Sequence, residues 1–250
     1  MNANDFFEIL LLIARPAAGK SEIIDYLKQV PEQERARRFH IGPFGEIDDF
    51  PMIWTWFEED ALLEKMGRPR LHTDQEGDFL YPYLWDLLIE RIDLEYQKRV
   101  RDLSAGAAPF TTIIEFSRGT EHGGYRSAFT HLSRPLLEKT VVLYVDVSWE
   151  ESLRKNRKRA NPDRPDSILE HSLSDDRLER LYKEVDWQEV SREDPCTLKI
   201  QGLRVPYTVF DNADDLTTRR GEALGLRLEQ AFNRLWWLYT RPAAGPGSPA

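Results

Sequence analysis

The chain has 250 residues, a length that suits one large α/β domain, and 41% of them are hydrophobic, which excludes wholesale disorder. Its formal charge of −9 excludes a surface coated in basic residues for nucleic acid, although it leaves room for a local cationic pocket. The only cysteine, Cys196, excludes an intrachain disulfide and suits a reducing, cytoplasmic setting.

Residues 6–13 (FFEILLLI) are nearly continuous in apolar side chains, the pattern of a parallel strand covered on both faces. The unbroken part, 9–14, is far shorter than the roughly 18–20 residues that cross a bilayer, and its flank is acidic, so no membrane span or secretory signal is expected. A Gly-containing turn follows, then Ile23, Ile24, Leu27 and Val30 at helical spacing, closed by Pro31. A short strand is expected at 39–41. Residues 42–83 are long and aromatic, with Pro and Gly breaks, and resemble an insertion. A helix is expected over 83–103, and β-branched strands over 111–116 (TTIIEF) and 141–147 (VVLYVDV). Helices at 150–159 and 174–186 lie around a charged region, 156–203. A last strand, 205–210, precedes Asp211 and Asn212, and 224–239 reads as an amphipathic packing helix or, if left exposed, a partner surface. The tail 241–250 is low in complexity and reads as disordered. Strands alternating with helices predict an α/β fold around a parallel sheet.

Between the first strand and its helix, Ala14, Arg15, Pro16, Ala17, Ala18, Gly19, Lys20 and Ser21 match the phosphate-loop pattern, with Ala14 in place of the first glycine. A turn that presents backbone N–H groups to phosphate oxygens needs small residues, and Gly19 supplies backbone freedom without a Cβ. The helix that begins there places roughly +0.5 of partial charge at the anion, close to Glu22 in the first turn. Lys20 can reach β and γ phosphates as a point charge, and the Ser21 hydroxyl can bind Mg²⁺.

Followed in order by IIEFSRG at 113–119, YVDVSWEESLRKNRKR at 144–159 and VFDNADD at 209–215, this loop makes the chain resemble the P-loop kinase superfamily, especially nucleoside and nucleoside-monophosphate kinases. The likeness spans most of residues 5–215. It implies a three-layer sandwich with a five-stranded parallel sheet of order 2-3-1-4-5, binding ATP and Mg²⁺ at the strand C-termini. It also implies one domain over 1–240, with 42–83 on the acceptor side and 154–203 as a lid-like region. Glu115 then joins Ser21 at the metal; Asp146, the other strand-end acid, is the alternative metal carboxylate, or else a polar strand end or helix cap. Arg118 faces the acceptor. Arg154 and Arg157 share a helix face, as do Lys155 and Arg159, and with Arg164 they form a lid cluster whose arginines neutralise the transferred phosphoryl group, each worth about 10³–10⁵ in rate. Asp48 or Asp49 meets the acceptor hydroxyl, and Asn212 borders the base. Trp54, Trp56, Phe57, Tyr81 and Tyr83 either stack an acceptor ring or form the core of a helical insertion.

Other patterns carry no chemistry. The D-x-x-G of Asp74–Gly77 has no apolar strand before it, His122-Gly-Gly lacks a G-x-S-x-G nucleophile, and the histidines show no metal-ligand spacing. The expected function is an ATP-dependent phosphotransferase acting on a small-molecule acceptor, with no nucleic-acid or membrane partner. The alternatives are a nucleotide-dependent regulatory ATPase acting on a protein, or a kinase fold that binds nucleotide without turnover.

Overall fold

The computed structural model describes residues 6–103, 110–159 and 173–241; Arg164 and the tail from 242 onward lie outside them. Strand β1 (Ile9–Ala14) is buried throughout. Its side chains alternate between two cores, Leu10, Leu12 and Ala14 facing one and Ile9, Leu11 and Ile13 the other. Helix α1 (Lys20–Gln29) covers the first core with Ile23, Ile24 and Leu27; Glu22 in its first turn and Lys28 in its last suit the helix dipole. Helix α2 (Glu32–Phe39) ends at His40, whose φ of 54° makes a left-handed cap. The strand expected at 39–41 is thus a helix end and turn. Phe39 and Ile41 are apolar because they plug the core, not because they alternate in a ladder.

The edge strand β2 (Phe44–Asp48) comes later and ends at Asp48, whose carboxylate accepts from Phe50 N at 3.0 Å and so caps α3 (Asp49–Lys65). α3 and α4 (Leu84–Asp102) pack around Trp56, Leu84 and Leu88. β3 (Thr111–Phe116), a 3₁₀ turn at Thr120–His122, α5 (Gly124–Thr130) and α6 (Arg134–Leu137) follow. The chain continues through β4 (Thr140–Asp146), α7 (Trp149–Arg159), α8 (Asp175–Tyr182) and α9 (Trp187–Val190). It closes with β5 (Thr197–Ile200), β6 (Leu203–Asp211), α10 (Leu216–Arg219) and α11 (Gly221–Thr240). α11 buries Leu224, Leu228, Phe232 and Leu235 over the first core, as its amphipathic pattern predicts.

The sheet has six strands in the order β2-β3-β1-β4-β6-β5, all parallel except β5, which pairs antiparallel with β6. This corrects the expected five-stranded 2-3-1-4-5 sheet: the fold is α/β with a mixed, mostly parallel sheet. The extra strand forms a hairpin with β6 through Gln201 and Gly202, at φ 49° and 79°, the left-handed pair that a two-residue turn needs. It also means that 154–203 contributes to the sheet. Among the described residues no helix is long and apolar enough to cross a membrane.

Candidate functional site

The C-terminal ends of β1, β2 and β3 lie side by side, with Asp48 paired to Glu115 and Glu115 to Leu12 in the parallel registers. Beyond β1 the chain turns sharply: Ala17 has φ 56° and Gly19 φ 113°, and α1 begins with no side-chain cap. A Cβ on Gly19 would lie 2.5 Å from Thr217 Oγ1, so both its conformation and its surroundings demand glycine. The loop is held by its carbonyls. Asn212 Nδ2 donates to Ala18 O at 2.9 Å, and Ser152 Oγ to Pro16 O at 2.8 Å. Arg15 reaches Val147 O at 3.3 Å and Lys183 O at 3.1 Å. Among the described residues, the amides of Ala17, Gly19, Lys20, Ser21 and Glu22 donate to no protein acceptor. Acceptors tied down and donors left open make an anion nest.

A groove of ≈ 210 Å³ lies over these amides, walled by Arg154, Lys155, Lys158, Arg159, Asp215 and Thr218. Lys155 is 7% exposed, with Nζ 2.8 Å from Asp215 Oδ1, and ties α7 to the loop after β6. Arg154 pairs with Glu151 and Asp215 at the groove's edge. Arg157, expected beside it, turns to Asp175 at 2.6 Å and lines no part of the groove. Arg159 borders both this groove and the next cavity.

At Lys20 and Ser21 the groove meets a cavity of ≈ 400 Å³ that contains Asp48, Asp49 and Glu115. Lys20 Nζ donates to Ser117 Oγ at 2.8 Å. Burial, then the neighbouring Glu115 and Asp49, push the Asp48 carboxyl up to about 8, against Phe50 N–H and Lys20. Glu115 is also raised, by burial first, while Lys20 and Arg159 favour its charged form. Two carboxylates thus share a site with one ammonium. Asp146 is raised chiefly by burial and lines neither cavity.

Asp49 has a different fate. Its Oδ2 accepts from Arg118 Nη1 at 2.5 Å; that guanidinium is 1% exposed and also donates to Ser117 O at 2.7 Å and Trp85 O at 3.2 Å. Arg118, expected against the acceptor, therefore braces the cavity wall from behind. Asn212, expected at the base, is fully buried beneath the loop. The rings in the cavity are Phe50, Trp54, Phe57, Phe79, Trp85, Phe116 and Tyr182. Of the rings singled out in the sequence, Trp56 is core, stacked on His72 at 4.9 Å, and Tyr81 and Tyr83 stack on each other at the surface, 49% and 59% exposed. Trp85 and Tyr182 carry no signal in the sequence, since only the packing of α4 and α8 turns them inward. His122 stacks behind Trp85 at 3.7 Å, its imidazole held down at about 3 by burial and then by Arg118 and Arg180, and hence neutral.

Among the described residues no three His, Cys, Asp or Glu side chains cluster to hold a metal by themselves. No family model and no curated protein matches the chain. Among solved structures it aligns with an unliganded sugar kinase from Janibacter sp. HTCC2649 at 15% identity, over 94% of this chain and 99% of that one, with a TM-score of 0.37. A likeness that slight carries no argument about what this chain acts on.

Proposed function

We propose that this chain is a phosphotransferase of the P-loop kinase superfamily, moving the γ-phosphoryl group of ATP to a hydroxyl of a small-molecule acceptor. One observation carries the reading. A run of amides without protein acceptors among the described residues underlies a cation-walled groove, and the groove opens at Lys20 into a cavity where Asp48 and Glu115 stand beside that lysine. Phosphate oxygens in the groove would satisfy those amides and meet the partial charge of α1.

Lys20 grips the β and γ oxygens, while Arg154 and Arg159 neutralise charge that spreads onto the transferred group. Ser21 and Glu115 fit Mg²⁺, because Asp48 and Glu115 repel each other's charge and would ionise together beside a cation, and Ser21 lines both spaces; the ion would offset phosphate charge there. Asp48 is assigned to the acceptor, since Asp49 is committed to Arg118. In the transfer, the acceptor oxygen forms the new P–O bond and the bond from the γ-phosphorus to its bridging oxygen breaks. The hydroxyl proton passes to Asp48 in its ionised form, which the neighbouring Lys20 favours, and ADP leaves.

Calorimetric titration of Mg·ATP into the wild type and Lys20→Ala, with circular dichroism as the fold control, tests the reading. The variant should bind at least about a hundredfold more weakly. The wild type should release ADP only when a suitable nucleoside, nucleotide or sugar is present. Equal affinities would sink the proposal, and slow acceptor-independent hydrolysis would replace it with a regulatory ATPase.

A further inference from the structure

Among the described residues three cations line the larger cavity, and they are unevenly placed. Lys20 and Arg159 also border the groove, at the phosphate end, whereas Arg177 stands with Gly77, Asp78 and Phe79 among the rings. Arg177 is already engaged. Its Nε lies 3.3 Å from Asp78 Oδ1, and its Nη2 donates to Glu76 O. Arg180 meets the same carboxylate at 2.6 Å from outside the cavity. The other guanidinium nearby, Arg118, is consumed by Asp49. An acceptor at the ring end therefore finds apolar faces, two satisfied ion pairs and the carboxylates Asp48, Asp49 and Asp78. A phosphate or carboxylate placed there would lose its water and face like charge, with no uncommitted cation at the ring end among the described residues to compensate it.

On the basis of the phosphotransferase reading, we infer that Asp78 determines acceptor specificity: by neutralising Arg177 it restricts the cavity to uncharged, ring-bearing alcohols and rejects their phosphorylated counterparts. Asp78 does not act on the reacting atoms. It is held by the loop that joins α3 to α4, where Asp78 N donates to Asp74 Oδ1 at 2.8 Å and the Thr73–Phe79 bridge closes a small turn. Gly77 lets this turn approach Arg177, since a Cβ there would lie 3.3 Å from Arg177 Nη1. Two pairs on one carboxylate fix the guanidinium across the ring end of the cavity.

The test uses the full chain, Asp78→Asn and the double variant Asp78→Asn/Arg177→Gln. The probes are matched pairs: nucleosides with their 5′-monophosphates, and hexoses with their 6-phosphates. ADP release gives kcat/KM, calorimetry gives acceptor binding, and Mg·ATP affinity is measured separately on each protein. The wild type should favour the uncharged member of a pair by about three- to fivefold, the size of one ion-pair interaction at a partly exposed site. Asp78→Asn should narrow that preference to about parity by freeing Arg177, and the added Arg177→Gln should restore it. A purely structural role for Asp78 would weaken both members of a pair alike. A wild-type preference for the phosphorylated member overturns the inference. So does unchanged selectivity in Asp78→Asn, or binding of neither member while Mg·ATP binds normally. Absent Mg·ATP binding in the wild type removes the phosphotransferase reading itself, and the inference with it.

Discussion

The groove over residues 17–22 and the ring-lined cavity meet at Lys20, yet they are built by opposite means. The floor of the groove is made of main chain: pinned carbonyls, open amides, and a helix start without a side-chain cap. The cavity is made of side chains from distant elements, fixed by a buried ion pair and stacked rings. Backbone sites tolerate most side-chain changes but fail where conformation is forced. Side-chain sites have the reverse sensitivity, each brace being individually replaceable and individually costly.

The largest expected effect tests the main-chain half. Gly19→Val places a branched side chain at φ 113° and into Thr217, so it should reduce Mg·ATP affinity more than about a hundredfold in calorimetry. Retained affinity would mean that the amides are not the grip.

Next comes the brace of the other half. Arg118→Met strands Asp49 in a buried position and should cost about 3–5 kcal/mol in urea melts. Acceptor-dependent turnover should fall while Mg·ATP affinity stays within about threefold. If both ligands suffer equally, the two halves are not independent and the contrast breaks.

A smaller effect concerns Asp60, buried in α3, which accepts from the amides of Leu71, His72 and Thr73 and from the Thr73 hydroxyl. Burial opposes its charge, but these donors prevail and hold the carboxyl down at about 2, below its ordinary 3.8. A depressed acid stabilises the fold above its unfolded value, and that contribution is lost as pH falls toward about 2. Asp60→Asn should therefore cost about 2 kcal/mol at pH 7 and much less near pH 2, as measured by urea melts across that range. A cost independent of pH would assign the loss to shape rather than charge.

The smallest effect returns to the loop. Ala17→Gly relieves a left-handed alanine at φ 56°, so stability should change by less than about 1 kcal/mol and Mg·ATP affinity by less than about twofold. A large loss would show that the Ala17 side chain, not only its amide, shapes the groove.

The same division governs what the sequence reveals. β1, β3 and β4 are covered on both faces and read as apolar runs, and the loop is one contiguous stretch whose residue types answer a local need. β2, with Gly45 and Glu46 on a half-exposed edge, and the four residues of β5 bury too little to stand out. Nothing local separates Trp54, which faces the cavity, from Trp56, which faces the core, since both lie on one helix whose inward side is set by α4. Asp49 and Arg118 lie 69 positions apart, so their pairing exists only once β2 and β3 are neighbours.

Lys20 rests on a hydroxyl at 2.8 Å although two carboxylates stand close by. A neutral resting place makes departure cheap, because the exchange leaves behind a Ser117 oxygen that water can satisfy instead of an orphaned anion. An ammonium locked into a tight pair would tax every incoming anion by the strength of that pair. Parked on serine, it stays loaded and ready to let go.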